Sequence, residues 1–459
     1  MTIDEAATEQ FRNALRGRLI QPGDTDYDAA RAIYNGMIDK RPRLIAYCTN
    51  VADVNAAVNF GREHALDTAI RSGGHNGPGL ALIDDGLVID LSNMKGIRVD
   101  PQATTVRVEP GCRGGDVDHA THAFGLATVS GIVATTGVPG LTLGGGHGYL
   151  SRKYGLAIDN LLAADVVLAD GRLVHANDKE NPDLLWALRG GGGNFGVVTS
   201  FEFGLHPVRN VIAGPLFWPI EDVETTLRWY RDWLPRQPED VYAFYLTGAV
   251  PSGEPFPEAI RGQRVCGLMW CCTGTQQQAD QVLATARQVA KPLFELVGEL
   301  PYPAVQSMFD PLYPPGLRIY WKGDFVRELS DAAVAEHVRF AKVPTALTAM
   351  HLYPIDGAVS RVAPGDTAWV HRDVNWSMSI FCVDADPAND ERVEQWAHDY
   401  WRALHPHSAG AAYVNFLMEE GESRVAASYG ANYDRLRKIK AKYDPDNFFH
   451  VNQNIAPSA

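Results

Sequence analysis

Residues 182–203 read PDLLWALRGGGGNFGVVTSFEF, and the order of the parts in this stretch limits the folds open to the chain. Gly191, Gly193 and Gly196 satisfy G-x-G-x-x-G, a spacing that suggests a nicotinamide-binding, doubly wound fold. That fingerprint needs a strand before the glycines and a helix after them, so that a pyrophosphate meets the helix N-terminus. Here the helix-like PDLLWALRG comes first and the strand-like VVTSFEF follows. The order is reversed, which rejects the nicotinamide reading. No G-x-x-x-x-G-K-[ST] run occurs, so a nucleotide triphosphatase has no support either.

Two more glycine-dense loops lie upstream, RSGGHN at 71–76 and GVPGLTLGGGHG at 137–148. Each alone can be read as a tight turn. Three in one half of the chain point instead to backbone N–H groups gathered around phosphate oxygens, because a loop without Cβ atoms lets the backbone come close. A phosphate-bearing cofactor is the expectation.

Outward from these loops, PRLIAYCT, TAIRSGG, LVIDLSNM and TVRVEPG read as strands. VADVNAAVNFGREHAL reads as a helix with Val54, Ala57, Val58 and Phe60 at helical spacing, and GDVDHATHAFG as a helix ending at Gly125. NLLAADVVLADGRLVHA reads as a hairpin turned at Asp170-Gly171. Past His206-Pro207 the chain grows richer in Trp, Tyr, Pro and Met, and helical stretches alternate with the strands VYAFYLTGA, RVCGLMWCC, ALTAMHLYPI and WSMSIFCVD. A basic amphipathic helix then stops at Asp444-Pro445, with Arg435, Arg437, Lys438, Lys440 and Lys442 expected on a solvated face. The fold class is α+β.

Lys plus Arg is 41 and Asp plus Glu is 55 in 459 residues, a net charge of −14 that disfavours nucleic acid or an anionic membrane as partner. Hydrophobic residues at 46% and charged residues at 21% fit a chain folded throughout. The first twenty residues carry acids and no apolar core of the length an export signal needs, and no apolar run is long enough to span a bilayer. The six cysteines are scattered, with neither zinc nor disulfide spacing, so no metal site is expected and reduced thiols in a cytoplasm are the simplest reading.

RSGGH, GLVIDLSNM, GVPGLTLGGGHGYLSRKYGLAIDNL, DLLWALRGGGGNFGVVTSFEF, YVNF and YDPDNFFHVNQNI, in that order, resemble the berberine-bridge-enzyme-like branch of the vanillyl-alcohol-oxidase flavoproteins. The resemblance covers nearly the whole chain. It implies a two-part FAD-binding domain, residues 1–205 with a returning C-terminal segment 410–459, and an inserted antiparallel-sheet substrate domain, 206–409. It also implies FAD attached covalently through His75. Relatives with a second link use a cysteine at the position of Val133, so a single bond is expected here. The implied cofactor contacts are Arg71, Ser72, Gly73, Gly74, His75 and Asn76 in the first loop, and Gly137, Gly140, Leu143, Gly144, Gly145, Gly148 and Tyr149 in the second. Gly193, Asn194, Gly196, Val197 and Val198 follow in the third, with Asn452 and Asn454 in the tail.

Flavoproteins of this type take a hydride from a C–H bond next to oxygen or nitrogen while a nearby group handles the O–H or N–H proton. The resemblance points for that group to a Tyr-x-Asn-Tyr segment, and this chain has Tyr413-Val414-Asn415-Phe416, with no phenol at the last position. His351 and Tyr353 alternate in AMHLYPI and share a strand face, so they join Tyr413 as candidate catalytic residues, His351 as a base near neutral pH. Tyr320 and Trp321, in RIYWKGDF, join His351 and Tyr353 as candidate substrate contacts, whereas Trp270, Trp376 and Phe244 read as core and His147 as structural. The implied activity is a covalent FAD-dependent oxidase of a small molecule, with oxygen as acceptor and hydrogen peroxide as product. A dehydrogenase with another acceptor and a non-catalytic flavin- or substrate-binding protein are the alternatives.

Overall fold

The structure is a computed structural model that describes residues 4–458; positions 1–3 and 459, the outermost ends of the first and last regions above, lie outside the described residues. The first sheet has four strands in the order Arg18–Ile20, Leu44–Tyr47, Leu87–Asp90, Thr68–Arg71. The last three run parallel, with Ile45 beside Val88 and Ile70 beside Ile89. Parallel strands are covered on both faces, and Ile45, Ala46, Val88 and Ile89 are all fully buried. One cover is the helix Val51–Glu63, which starts where the Asn50 side chain accepts from the Asp53 N–H and which buries Val54, Ala57, Val58 and Phe60, the stripe legible in the sequence.

A second, antiparallel sheet runs Ile97–Asp100, Thr105–Val108, Val197–Gly204, Leu161–Val167, Leu173–Ala176. Its central strand leaves the third glycine loop, and the helix Pro182–Leu188 enters that loop. The helix-then-strand order is therefore real, and the loop turns a chain that a doubly wound fold would run the other way.

The third sheet has eight strands. Its long members, in spatial order, are Asn210–Pro219, Arg264–Cys272, Val241–Ala249, Ala349–Pro354, Trp376–Asp384 and Arg318–Val326, all antiparallel. Alternation divides its residues cleanly. Leu268, Trp270, Met350, Leu352, Trp376, Met378 and Ile380 face one side, where the helices Val223–Trp233, Gln276–Val289, Asp331–Phe340 and Asp390–Leu404 cover them. Phe244, Met269, Cys271 and Tyr353 face the other.

Asn210–Pro219 was not legible as a strand, because Gly214-Pro215 interrupts it. The reason it pairs is local: residues 210–213 pair with Gly298–Pro301 and residues 216–217 with Phe294–Glu295, so the proline that lacks an N–H sits where one partner ends and the other begins.

The C-terminal segment packs back on the first half. Ala411, Tyr413, Leu417, Leu436 and Ile455 share a core with Val106, Leu161, Leu185 and Phe201, while Phe449 joins Val54, Leu87 and Val197. The helix Tyr433–Tyr443 ends at Asp444 as read, but Lys440 is not solvated: it is fully buried. Among the described residues no helix is long and apolar enough to cross a membrane.

Candidate active site

A cavity of about 360 Å³ lies between the glycine loops and the cavity-facing side of the eight-stranded sheet. At one end its wall is residues 72–76, Gly137, Gly140, Leu143, Gly193, Asn194, Gly196, Val197, Val198 and Asn452. At the other it is Trp321, His351, Tyr353, Ser379 and Phe381, with Phe309, Tyr313 and Phe416.

The loops are shaped by contacts only glycine permits. Gly73 and Gly137 cross so closely that a Cβ on Gly73 would come within 2.5 Å of the Gly137 nitrogen, and one on Gly137 within 2.6 Å of the Gly73 nitrogen. Gly140 and Gly193 face open space instead, with nothing within 4 Å of a Cβ placed there. Asn194 fastens the third loop to the tail: its Nδ2 donates to the carbonyls of Gly191 (2.9 Å) and Gln453 (3.2 Å), and its Oδ1 accepts from the Ile455 N–H at 2.9 Å. Asn452 donates to the Gly193 carbonyl at 3.1 Å, and its amide oxygen is buried without a partner. Open space beside glycine backbone fits a phosphate-bearing cofactor, and the unpaired Asn452 oxygen, an acceptor, fits an N–H of that cofactor rather than its phosphates.

His75 lies on this wall, stacked on Tyr34 with ring centroids 3.8 Å apart. Loss of solvent around the ring, then the positive charge of Arg113, hold its pKa down to about 4 against a hydrogen bond to the Thr135 backbone. The imidazole is neutral at physiological pH. Tyr34, which the sequence offered no reason to single out, donates from its hydroxyl to the Tyr313 carbonyl at 2.6 Å and so ties the first loop's neighbourhood to the sheet end.

Several expected contacts stand behind the wall. Arg71 is buried against Asp90 and Tyr47 in the parallel sheet, which holds its guanidinium away from the cavity. Gly144, Gly145 and Gly148 do not line it; they let Asn415, Trp369 and the Ser130 carbonyl pack against the loop. Tyr149 is buried against Tyr242 and Phe244, and Asn454 is likewise off the wall. Tyr320 and Trp321 part company because neighbours on a strand face opposite ways. Trp321 lines the cavity, whereas Tyr320 turns to the helix side and bonds His398 at 2.9 Å.

His351 and Tyr353 do share a face, with Nδ1 of His351 2.6 Å from the Tyr353 hydroxyl, and both line the cavity. Burial changes the expected titration, however. His351 is driven down to about 3, so it does not titrate near neutrality, and the Tyr353 phenol is pushed above its ordinary value. Tyr413 also lines the cavity, but its hydroxyl accepts from the Gly146 N–H (3.1 Å) and Asn415 Nδ2 (2.7 Å) and donates to the Leu141 carbonyl (3.3 Å). It anchors the second loop. Trp270 and Trp376 are core; Phe244 packs its ring 5.2 Å from His351 and 5.0 Å from Tyr353.

Residues 42–177 match the family model of an FAD binding domain, and residues 412–456 match the model described as berberine and berberine like. An FAD-linked oxidoreductase of Dictyostelium discoideum is 32% identical over 453 residues, 98% of this chain and 96% of that protein. The (R)-6-hydroxynicotine oxidase of Paenarthrobacter nicotinovorans is 30% identical over 462 residues, 97% of each. The solved structure of 6-hydroxy-D-nicotine oxidase from Arthrobacter nicotinovorans superposes with a TM-score of 0.87 at 28% identity, covering 97% of this chain and 98% of that one. With the glycine-lined cavity at the junction of its sheets and this likeness along its length, the chain belongs to the berberine-bridge-enzyme-like family of FAD-linked oxidoreductases.

Proposed function

We propose that this flavoenzyme takes a hydride from a C–H bond next to oxygen or nitrogen in a small organic molecule, and that molecular oxygen receives the electrons and leaves as hydrogen peroxide. The observation that carries this reading is the His351–Tyr353 pair facing the same cavity as the three glycine loops. FAD at the glycine end supplies the hydride acceptor. Residues 72–76, Gly137, Gly140, Leu143, Gly193, Asn194, Gly196, Val197, Val198 and Asn452 would hold it, and residues 4–205 with 410–458 form its domain around the inserted 206–409.

His75 carries the cofactor covalently, and alone. Its neutral ring keeps the lone pair that forms such a bond, Val133 on the wall has no sulfur, and none of the six cysteines, all buried and free, lines the cavity. Free thiols also support a reducing, cytoplasmic setting. Tyr353 receives the substrate's O–H or N–H proton as its own phenol proton passes to Nδ1 of the neutral His351 bonded behind it; Phe416 has no proton to exchange, and the Tyr413 hydroxyl is occupied. The relative named as an oxidase supports oxygen as the acceptor.

The test has two parts. Acid-precipitated protein is expected to stay yellow and the His75→Ala protein to lose its FAD. Flavin absorbance is expected to bleach when a substrate from a panel of amines, alcohols and sugars is added without oxygen, and peroxide to appear when air is admitted. A yellow mutant pellet overturns the single link; bleaching that persists in air, relieved only by an artificial dye, makes the enzyme a dehydrogenase.

A further inference from the structure

His147 follows the glycine triplet of the second loop and is buried, 4% exposed, in the cavity wall. Its ring sits 4.9 Å from Tyr413, 5.3 Å from Tyr353 and 5.6 Å from Phe416 between centroids, so it is held firmly by aromatic neighbours. Yet neither ring nitrogen has a hydrogen-bond partner. A neutral imidazole offers one donor and one acceptor, and burying both unpaired is unfavourable unless something in the cavity meets them.

The rest of the wall narrows what that is. Among the described residues lining the cavity there is no Asp, Glu, Lys or Arg. Lys322 and Asp324 flank Gly323 on the strand that carries Trp321, and alternation sends both to the opposite face, where Glu420 and Arg424 pair with them. An ammonium or carboxylate entering here would find no counter-charge on the wall itself. Phe309, Tyr313, Trp321, Phe381 and Phe416 offer aromatic surface instead.

We propose that His147 hydrogen-bonds a hydroxyl of the substrate and that this site selects an uncharged aromatic molecule over a charged one. The inference rests on the sheet end of the cavity being the substrate chamber, and it deepens the reading above by naming the class. His147 is then a specificity-determining residue rather than a structural one.

Binding to the oxidised holoenzyme, followed by flavin difference absorbance and calorimetry, tests it without turnover. Phenol, benzoate and benzylammonium are the probes. Phenol is expected to bind at least about tenfold more tightly than either ion at neutral pH. His147→Phe is expected to weaken phenol about tenfold at unchanged flavin content, and His147→Asn, which keeps a donor and an acceptor, to restore most of it. Equal affinity for phenol in His147→Phe, or benzoate or benzylammonium binding as tightly as phenol to the wild type, overturns the proposal. If His147→Phe loses flavin, the order of the three probes on the wild type and the phenol affinity of His147→Asn still decide, with loss of affinity in the latter counting against it. Failure of every candidate substrate to bleach the flavin would sink the oxidase reading while leaving these binding results standing, so the two failures are distinguishable.

Discussion

Lys440 reaches from inside the last long helix to the backbone of the third glycine loop: its Nζ donates to the Asn194 carbonyl at 2.7 Å. The same ammonium donates to the Phe449 carbonyl at 2.9 Å and to Asp444 at 2.6 Å, and Asp444 accepts from the N–H groups of Phe448 and Phe449 at 2.8 Å each. Both charges are fully buried. A single satisfied network therefore joins the loop, the helix end and the tail.

Removing one partner of such a pair strands the other without compensation, at a typical cost of about 3–5 kcal/mol. Asp444→Asn is expected to destabilise the protein by that order and to lower the flavin content of purified protein, because Asn194 and the tail lose their common tether. Chemical denaturation and the flavin-to-protein absorbance ratio measure it. An unchanged midpoint with full flavin loading would show that the network is incidental.

Gly73→Ala is expected to abolish flavin incorporation, since the added methyl meets the Gly137 backbone, which cannot swing aside as a side chain would. Gly193→Ala, where no atom lies within 4 Å, is expected to fold normally and lose affinity only for what occupies the cavity. Melting temperature and flavin content together distinguish the two outcomes, and equal behaviour of the variants would contradict the crossing of the loops as their cause.

The histidines of the wall are neutral well below physiological pH, His75 from about 4 and His147 and His351 from about 3. Each folded value lies below the ordinary one, so no wall imidazole changes charge between mildly acid and mildly alkaline solution. The rate of anaerobic flavin reduction is expected to be flat from about pH 5.5 to 8.5, with Tyr353→Phe lowering it by a factor of ~10²–10⁴. A wild-type inflection near neutrality that disappears in His351→Ala would instead make His351 a titrating base.

Asp118, on the helix Gly114–His122, is fully enclosed with one oxygen unpaired, and burial lifts its carboxyl from the ordinary 3.8 to about 7, with only a partial offset from Gln306. The folded protein then holds this proton more tightly than the unfolded chain. Its contribution to stability is intact below about pH 4, falls as pH rises toward 7, and stays lost above that. Asp118→Asn is expected to be more stable than wild type at about pH 8, with the gap closing as pH falls to about 4. Parallel denaturation curves with no pH-dependent gap would contradict the burial of an unpaired carboxyl.

Local pattern was enough for the elements and for part of the site. The reversed helix-glycine-strand order in residues 182–203 follows from periods of 3.6 and 2 that a short stretch carries by itself, and so does the shared face of His351 and Tyr353. The same alternation already forbade Tyr320 and Trp321 from lining one wall; which of the two faces the cavity depends on where the helix Asp390–Leu404 packs, and only the assembled sheet decides that. Charge and titration were decided by tertiary structure as well. Lys440 reads as one cation in a basic helix until Asn194 arrives from a distant loop and, with Asp444 and Phe449 four and nine residues on, encloses it, and His351 reads as a neutral-range base until the sheet and the loops exclude water from its ring. Periodicity is a property of neighbours in sequence, whereas desolvation and hydrogen-bond satisfaction belong to neighbours in space, and His147, with both nitrogens unpaired beside three aromatic rings from distant segments, is visible only to the second.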